Sequence, residues 1–395
     1  METQFFHDLK KSFSFSVPTQ IIFGVGCTTN IHELVKKMNI KKPLVVTDPG
    51  IINSGLLKEI ISRLENNKIL YELFDQVEIN PSVQTVVKGA NKYQTGFCDG
   101  LIAMGGGSVI DAAKAIGILV THSQPLNEFE GKDLLKYDIP PLLAVPTTAG
   151  TGAEVSFEAV IIDKILNYKL TINSIKLAPK IALLDPVLLG TLPERIAAAT
   201  GIDTLTRAIE GFVSKEATLI TDLLNIEAIR LVGSSLRQFV ADPSNIDFGA
   251  KMQLACVLTT IGSINSGNGN VSFMAKPLES YLNIHHGIAC GVMLPHIMQW
   301  NLIANPDKYA LIAEKLGEDV NGHSVMDKAS KAVSSVQKLV LDVGLPTTLT
   351  EIGLKYDIIE KMANDAFNSL DSNGNPRRTS LEDISDKGLK VSFRV

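Results

Sequence analysis

The sequence has few cysteines and few aromatic residues, and neither sign of charge dominates it. Of its 395 residues, 6% are aromatic and four are cysteine, and the formal net charge is -5 at pH 7. A weakly acidic chain offers no electrostatic attraction to nucleic acid or to an anionic membrane, so we expect neither partner. The cysteines form no C-x-x-C motif of the kind that binds zinc or carries redox chemistry, and we interpret all of them as small core residues. They are Cys27, Cys98, Cys256 and Cys290.

Long hydrophobic runs are also missing. The N-terminal segment "METQFFHDLKKSFSFSVPTQ" contains no uninterrupted apolar stretch of the kind found in signal peptides. No later segment approaches the roughly 20 apolar residues of a transmembrane helix, so we expect a cytoplasmic protein. With 45% apolar and 20% charged residues, the chain has the composition of a well-packed protein, and its length allows two domains.

Short β-branched runs alternate with amphipathic helical patterns between about residues 20 and 190. Six runs bounded by Gly, Pro or Asp predict strands: "QIIFG", "KPLVVTD", "KILYELFD", "DGLIAMG", "PLLAVP" and "KIALLDP". Segments such as "SGLLKEIISRLENN" lie between them and carry apolar residues at helical spacing. A repeated order of strand and helix predicts a doubly wound parallel sheet with helices on both faces.

The strand signals nearly vanish after residue 190. Long helical patterns such as "LLNIEAIRLVGSSLRQFV" dominate the second half of the chain. We therefore predict an α/β domain over residues 1–190 and an all-helical domain over residues 191–395. The predicted boundary lies between Leu189 and Pro193.

A glycine-rich turn lies between a predicted strand and a predicted helix in "DGLIAMGGGSVIDAAKAIG". Gly105, Gly106 and Gly107 have no Cβ atoms, so the backbone can approach a ligand closely. Ser108 is a suitable N-cap, and the amides of the first helical turn favour a phosphate. The pattern indicates a pyrophosphate site, although its spacing is neither G-x-G-x-x-G nor a P-loop, and a tight turn without a ligand stays open.

A second loop, "VPTTAGTGAEVS", follows the next predicted strand and offers the hydroxyls of Thr147, Thr148 and Thr151. Ligands of open α/β sheets bind beyond the carboxyl ends of the strands, so two such loops favour a nucleotide site. Asp48 ends the strand "LVVTD", where an acidic residue accepts hydrogen bonds from an adenosine ribose and repels a 2′-phosphate. We therefore expect NAD rather than NADP.

The segment "GIDTLTRAIEGFV" places Asp203 and Arg207 four residues apart in a helical pattern. That spacing stacks the two side chains on one face of the helix. The pair is either an ordinary salt bridge that stabilises the helix or part of an active site. The local sequence leaves both interpretations open.

Several segments together resemble the iron-containing, group III alcohol dehydrogenase family. They include "GGGSVIDAAKAI", "VPTTAGTGAEVS" and "HHGIACGVMLPHIMQWN", and the resemblance runs from "IIFGVG" to "NPRRTSLEDI". It implies hydride transfer between a nicotinamide cofactor and a small alcohol or aldehyde, and a homodimer. It also implies a divalent metal held by one aspartate and three histidines.

The resemblance fails at most of the metal ligands. Asp203 matches the aspartate and His286 the last histidine, but Arg207 and Ser272 stand where the other two histidine ligands are expected. An arginine is always charged and only donates hydrogen bonds, so Asp203 and His286 form a remnant site. We do not expect tight binding of iron or zinc there, even if His285 contributes.

Further assignments rest on the resemblance alone. Asn80, Lys169 and Asp111 match positions that contact the cofactor, and Asp111 is expected in the first turn of its helix. Lys276 matches an active-site histidine that is not a ligand. Burial would lower the pKa of Lys276, so that it could donate a proton to a forming alkoxide.

The leading hypothesis is an oxidoreductase that interconverts a small alcohol and aldehyde with NAD(H), without a conventional metal site. Lys276 would polarise the oxygen, next to Asp203 and His286. Arg207 would either pair with Asp203 or bind an anionic substrate group. Three alternatives stay open: a non-catalytic NAD-binding protein with a regulatory or assembly role, a metal-dependent dehydrogenase with altered ligands, and a lyase or cyclase on a related scaffold.

Overall fold

The computed structural model describes residues 12–164, 168–368 and 374–392 of the chain. Its contacts divide the chain into two compact units. The α/β unit consists of Val17–Thr148 and Gly152–Leu192, and the helical unit of Pro193–Val395, Ala149–Thr151 and Met1–Ser16. The division into domains at residues 1–190 and 191–395 stays a prediction. In the two compact units, three residues of the threonine loop, Ala149–Thr151, belong to the helical unit.

The α/β unit contains two sheets. Its described strands are β1 Gln20–Phe23, β2 Pro43–Val46, β3 Glu72–Phe74, β4 Gly100–Gly105, β5 Gly131–Lys132, β6 Leu142–Pro146, β7 Glu158–Asp163, β8 Tyr168–Asn173 and β9 Ile181–Leu184. Six of them form one sheet in the order β1-β9-β6-β4-β2-β3, and every pair is parallel. These are the six strands that the sequence predicts. The predicted doubly wound α/β fold is confirmed.

Helices cover both faces of this sheet. They are α1 Ile31–Lys37, α2 Pro49–Ser54, α3 Leu56–Asn66, α4 Val83–Thr95 and α5 Gly107–Thr121. One apolar cluster joins Val86 and Ile110 of α4 and α5 to the sheet, and another joins Ile31 and Leu64 of α1 and α3 to it. β2 and β4 are buried along their whole length because both faces of the sheet are covered.

The sequence analysis did not predict the second, smaller sheet, which consists of β5, β8 and β7. β7 and β8 are antiparallel, with Glu158 opposite Asn173, and β5 pairs with β8 in parallel. β7 is only half-buried, since its residues alternate between buried and partly exposed positions. Its sequence "EAVIID" lacks a flanking turn signal on its N-terminal side, so the usual boundary cues are weak.

The helical unit packs around long buried helices. Its described helices are α6 Glu194–Val213, α7 Leu219–Ala241, α8 Ile246–Ser266, α9 Asn270–Leu282, α10 His286–Asn301, α11 Pro306–Lys315, α12 Val325–Asp342, α13 Ile359–Asn368, α14 Leu381–Asp383 and α15 Lys390–Ser392. A π-helical segment, Ile384–Leu389, precedes α15. The stretch His286–Ala304 is long and apolar enough to cross a membrane, but 72% of it is buried inside the protein. Core helices pass the same test.

Candidate functional site

The glycine turn directly follows β4. Gly105 ends that strand, and a Cβ atom there would lie 2.5 Å from Cγ2 of Val109. Gly106, and not the predicted Ser108, occupies the N-cap of α5, because the backbone of Gly106 is extended and the helix already begins at Gly107. The Ser108 hydroxyl instead accepts a hydrogen bond of 3.2 Å from the backbone amide of Asn80. The structure therefore brings Asn80 to the glycine turn through its backbone.

Asp48 and the threonine loop lie beside the same turn. Asp48 is the N-cap of α2, with Oδ1 accepting a 3.0 Å hydrogen bond from the amide of Ile51. Its Oδ2 would be 3.2 Å from a Cβ at Gly105. The amide of Thr147 donates to the Gly105 carbonyl at 3.1 Å, and the Thr148 side chain faces Gly106. Each glycine position thus lacks a side chain where two loops and a carboxylate converge.

Asp111 and Lys169 have other surroundings. Asp111 does not lie in the first turn of α5 as predicted, and its Oδ2 accepts a 3.2 Å hydrogen bond from the amide of Val160 in β7. Lys169 lies in β8, opposite Ile162 of β7. Asp111 therefore contacts the small sheet and Lys169 belongs to it, and their roles in cofactor binding stay predictions.

In the helical unit, Asp203 and Arg207 of α6 form the ion pair that their spacing predicts. Arg207 Nε donates to Asp203 Oδ1 at 3.0 Å, and the Asp203 side chain is completely buried. Burial by itself raises the pKa of Asp203, but the charges of Arg207 and His286 outweigh it and hold the pKa below its ordinary value. Asp203 is therefore the anionic partner of a largely buried ion pair.

His286 begins α10 close to this pair. A side chain at Gly287 would clash with the carbonyl oxygen of Ala199 in α6, so the glycine allows the two helices to approach closely. His286 Nε2 consequently lies 3.7 Å from Asp203 Oδ1, while Nδ1 contacts the buried carboxylate of Glu279. Burial disfavours protonation of His286, but Cys290 and Asp203 raise its pKa above the ordinary value. His286 is flanked by two carboxylates.

Ser272 has a structural partner. Its hydroxyl donates to Glu210 Oε2 at 2.5 Å, and the amide of Val271 donates to Glu210 Oε1 at 2.6 Å. Glu210 therefore accepts hydrogen bonds at the start of α9, a role that an acidic residue fills well because helix amides there lack partners. Burial raises the pKa of Glu210. Ser272 is held in this bond and does not replace the missing histidine ligand.

Lys276 of α9 is half-buried. Its Nζ lies 5.2 Å from the ring centroid of Phe273. Ser272, Lys276 and Glu279 follow one another at intervals of four and three residues in α9, so they share a helix face. The outer two contact Glu210 and His286, which places Lys276 on the face of α9 that is directed to the site.

Cys290 belongs to the same site, although the sequence reading assigned it to the core. Donor atoms of Asp203, His286 and Cys290 all lie within 4.8 Å of one another. Burial raises the pKa of the Cys290 thiol. Glu210, Glu279 and Cys290 were all missed, although each lies three or four residues along its helix from another site position, at a spacing that could have indicated them.

The residues present do not fit the metal site that the resemblance implies. Arg207 donates a hydrogen bond to the aspartate where a histidine ligand is expected, and Ser272 binds Glu210. His285 does not provide a clear replacement, because its Nδ1 accepts the amide of Gly287 at 3.1 Å as the N-cap of α10. A site with one aspartate and three histidines is therefore not formed.

Comparison with protein families assigns both halves of the chain. The family described as "Iron-containing alcohol dehydrogenase" matches residues 18–186. The family described as "Fe-containing alcohol dehydrogenase family, C-terminal" matches residues 197–387.

Individual relatives agree with these matches. The 1,3-propanediol dehydrogenase of Klebsiella pneumoniae is 36% identical over 377 residues, which cover 95% of this chain and 97% of the relative. The NAD-dependent methanol dehydrogenase of Bacillus methanolicus is 32% identical over 372 residues, covering 94% and 98% of the two chains. A solved structure of 1,3-propanediol oxidoreductase superposes with a TM-score of 0.94 at 35% identity, covering 97% of this chain and 100% of that one.

Proposed function

The chain belongs to the iron-containing alcohol dehydrogenase family, and from this premise we propose that it interconverts a small alcohol and the corresponding aldehyde with NAD(H). In the reductive direction, an aldehyde, NADH and one proton give the alcohol and NAD⁺. The proposal further states that the reaction does not use the family's conventional metal. The observation that carries this second part is the 3.0 Å hydrogen bond from Arg207 to Asp203.

The cofactor assignment is supported by the glycine turn. A dinucleotide, when bound, supplies or receives the hydride, while the protein supplies the binding surface. Gly105 and Gly106 leave open backbone next to Asp48 and Thr148, and α5 begins there. A pyrophosphate is favoured at such a helix N-terminus. The carboxylate of Asp48 favours a ribose hydroxyl and disfavours a 2′-phosphate, which supports NAD.

Positively charged side chains of the helical unit are proposed to stabilise the oxygen atom of the substrate. In this proposal the Lys276 ammonium donates a hydrogen bond to the carbonyl oxygen and then gives its proton to the forming alkoxide. Arg207 keeps Asp203 ionised and adds positive charge to the site. No step is assigned to a metal ion.

The contact that Arg207 makes supports a pairing with Asp203, the first of the two roles predicted for it. Its Nε is bonded to Asp203, so at least part of the guanidinium serves an internal ion pair. Binding of an anionic substrate group by the same side chain stays a prediction. It is tested by comparing aldehydes of similar size with and without a carboxylate, sulfonate or phosphonate.

The test uses the full-length protein after exhaustive treatment with a chelator, with residual metal measured by elemental analysis. We expect turnover of short aldehydes with NADH at a rate that does not follow the residual metal content. Loss of turnover on chelation, with recovery on addition of iron, contradicts the metal-free part. Tight NADH binding without turnover of any alcohol or aldehyde supports the non-catalytic alternative instead. The cytoplasmic location and the homodimer expected from the sequence stay predictions.

A further inference from the structure

Three consecutive carbonyls of the threonine loop, residues 145–156, accept hydrogen bonds from side chains of long helices. They belong to Ala149–Thr151, the part of the loop that is grouped with the helical unit. The Thr204 hydroxyl of α6 donates to the first carbonyl at 3.0 Å. On α8, the Cys256 thiol and the Thr260 hydroxyl donate to the second and third, each at 3.3 Å. All three donor residues are completely buried, so these contacts are shielded from water.

The direction of the Thr204 hydroxyl sets it apart from its neighbours on α6. A buried threonine in a helix can donate to the carbonyl four residues earlier in the same helix. Thr200 and Thr206 both do so, at 2.8 Å. The Thr204 hydroxyl instead donates to the loop. This side chain therefore holds the loop, while the threonines before and after it bond within their own helix.

Gly150 allows the loop to lie directly against α6. A Cβ atom there would be 2.8 Å from the Cβ of Thr200 and 3.2 Å from its Cα, so only a glycine fits without displacing the helix. Residues 147–157, all of which the structure describes, contain no helix or strand. Their carbonyls therefore depend on side chains for partners, because no regular ladder supplies them. The conformation of this part of the loop is set by α6 and α8.

The preceding residues of the same loop lie at the glycine turn. Up to Thr148 the chain belongs to the α/β unit. The amide of Thr147 donates to the Gly105 carbonyl at 3.1 Å, and a Cβ atom at Gly106 would be 3.4 Å from the Thr148 hydroxyl oxygen. Consecutive Cα atoms are a fixed distance of about 3.8 Å apart. A displacement of the residue after Thr148 therefore moves Thr148 relative to the glycine turn.

We propose that Thr204, together with Cys256 and Thr260, positions the threonine loop for NAD(H) and thereby sets the affinity for the cofactor. The inference rests on the proposed function, because it requires a dinucleotide at the glycine turn. A loop that is held in its binding conformation pays less for ordering when the ligand binds. If the loop adopts that conformation only part of the time, the apparent affinity falls by the same fraction. Thr204 is thus a positioning residue that acts through the backbone of the loop.

This role predicts an effect on cofactor binding and not on the chemical step. Thr204 directly follows Asp203 in α6, but its hydroxyl is bonded to the Ala149 carbonyl. Removal of the hydroxyl leaves the ion pair of Asp203 with Arg207 in place. Saturating NADH should restore the binding conformation of the loop, so kcat should then be close to that of wild type.

The experiment compares two substitutions of Thr204 in the full-length protein. Thr204→Val keeps nearly the same shape but removes the donor, and the dissociation constant for NADH should rise about tenfold, as expected for the loss of one buried hydrogen bond. The KM for NADH should rise in parallel, while kcat and the KM for the aldehyde stay close to wild type. Thr204→Ser keeps the hydroxyl and should restore most of the affinity.

Thr206→Val is the matched control. It makes the same change at a buried threonine of the same helix, whose hydroxyl donates to Ile202 within α6. This variant should bind NADH as wild type does. Thr260→Val removes a second donor to the loop and should also weaken NADH binding. Equal weakening in Thr204→Val and Thr206→Val would show that the hydroxyls act on the helix alone, which contradicts the proposal.

Hydrogen exchange gives a measurement that does not depend on the cofactor. The amide of Thr147 should exchange faster in Thr204→Val than in wild type, because a loosened loop opens the hydrogen bond to Gly105 more often. An unchanged NADH dissociation constant in folded Thr204→Val overturns the proposal. Failure of the wild-type protein to bind NADH contradicts the proposed function instead, and faster exchange in Thr204→Val then still supports the positioning of the loop.

Discussion

Arg207 Nε and Asp203 Oδ1 are 3.0 Å apart on one helix, and the aspartate is completely buried. A guanidinium thus occupies the position from which the family resemblance expects a histidine to bind metal. Because buried charges are costly unless they are paired, the arginine and the aspartate depend on each other. The ion pair therefore offsets the cost of burying the Asp203 carboxylate in the helical unit.

We predict that this pair shows strong coupling in a double-mutant cycle. Arg207→Met leaves the buried Asp203 charge without its partner and should lower the free energy of unfolding by about 3–5 kcal/mol at neutral pH. Asp203→Asn combined with Arg207→Met removes both charges and should be much less destabilised than the sum of the single variants. Urea unfolding of the four proteins measures the coupling. Additive effects would show that the two side chains act independently.

We predict that Lys276 is required for the chemical step. Lys276→Met should lower kcat by about 10²–10⁴-fold, the usual contribution of a general acid, while the dissociation constant for NADH stays unchanged. Lys251→Met is a matched control, because Lys251 is an exposed lysine that lies 5.4 Å from the ring centroid of Phe248 in a similar contact. Stopped-flow hydride transfer and an NADH titration separate the two effects. An unchanged kcat in Lys276→Met contradicts the assignment.

We predict that a methyl group at Gly105 blocks the dinucleotide. A Cβ there lies 2.5 Å from Val109 Cγ2 and 3.2 Å from Asp48 Oδ2, so Gly105→Ala disturbs both packing and the ligand surface. NADH affinity should fall by at least about tenfold, equivalent to 1.4 kcal/mol. Adding Val109→Ala relieves the contact with Val109. If this second substitution restores both thermal stability and NADH affinity, the glycine serves packing alone.

We predict that Glu154 makes stability depend on pH. Burial raises the pKa of Glu154 to about 7 from 4.5. The folded state therefore holds a proton that the unfolded state releases between about pH 4.5 and 7, so this group's contribution to stability is present at low pH and is lost as the pH rises through 7. Glu154→Gln removes the titrating group. Relative to that of wild type, the free energy of unfolding of this variant should therefore increase by about 3 kcal/mol as the pH rises from about 4.5 to 7.

The measurement is urea unfolding of both proteins at several pH values up to 7. Lys114 is fully buried, and its pKa is lowered to about 8, so its own titration opposes the trend only at higher pH. Glu128→Gln, the same substitution at an exposed position, is the control. A difference between Glu154→Gln and wild type that does not change with pH rules out the proposed titration.

Much of the α/β unit follows from short-range sequence patterns. The runs "KPLVVTD" and "DGLIAMG" contain the buried strands β2 and β4, because a strand covered on both faces must be apolar along its length. The prediction of an alcohol dehydrogenase or aldehyde reductase is confirmed by the relatives of the chain. The prediction that Ser108 is the N-cap was wrong, since the helix begins at Gly107. The preference of a residue type for the N-cap does not fix a helix boundary to one residue.

The sequence by itself determined the alternation of strands and helices, the glycine turn after β4 and the spacing that places Asp203 beside Arg207. These features depend on residues that are near one another in the chain. Only the tertiary structure decided that Glu279 supports His286, that Glu210 holds Ser272 and that Cys290 joins Asp203. The physical reason is that these contacts require close approach of α6, α9 and α10, and packing between helices depends on side-chain shapes that no local pattern specifies.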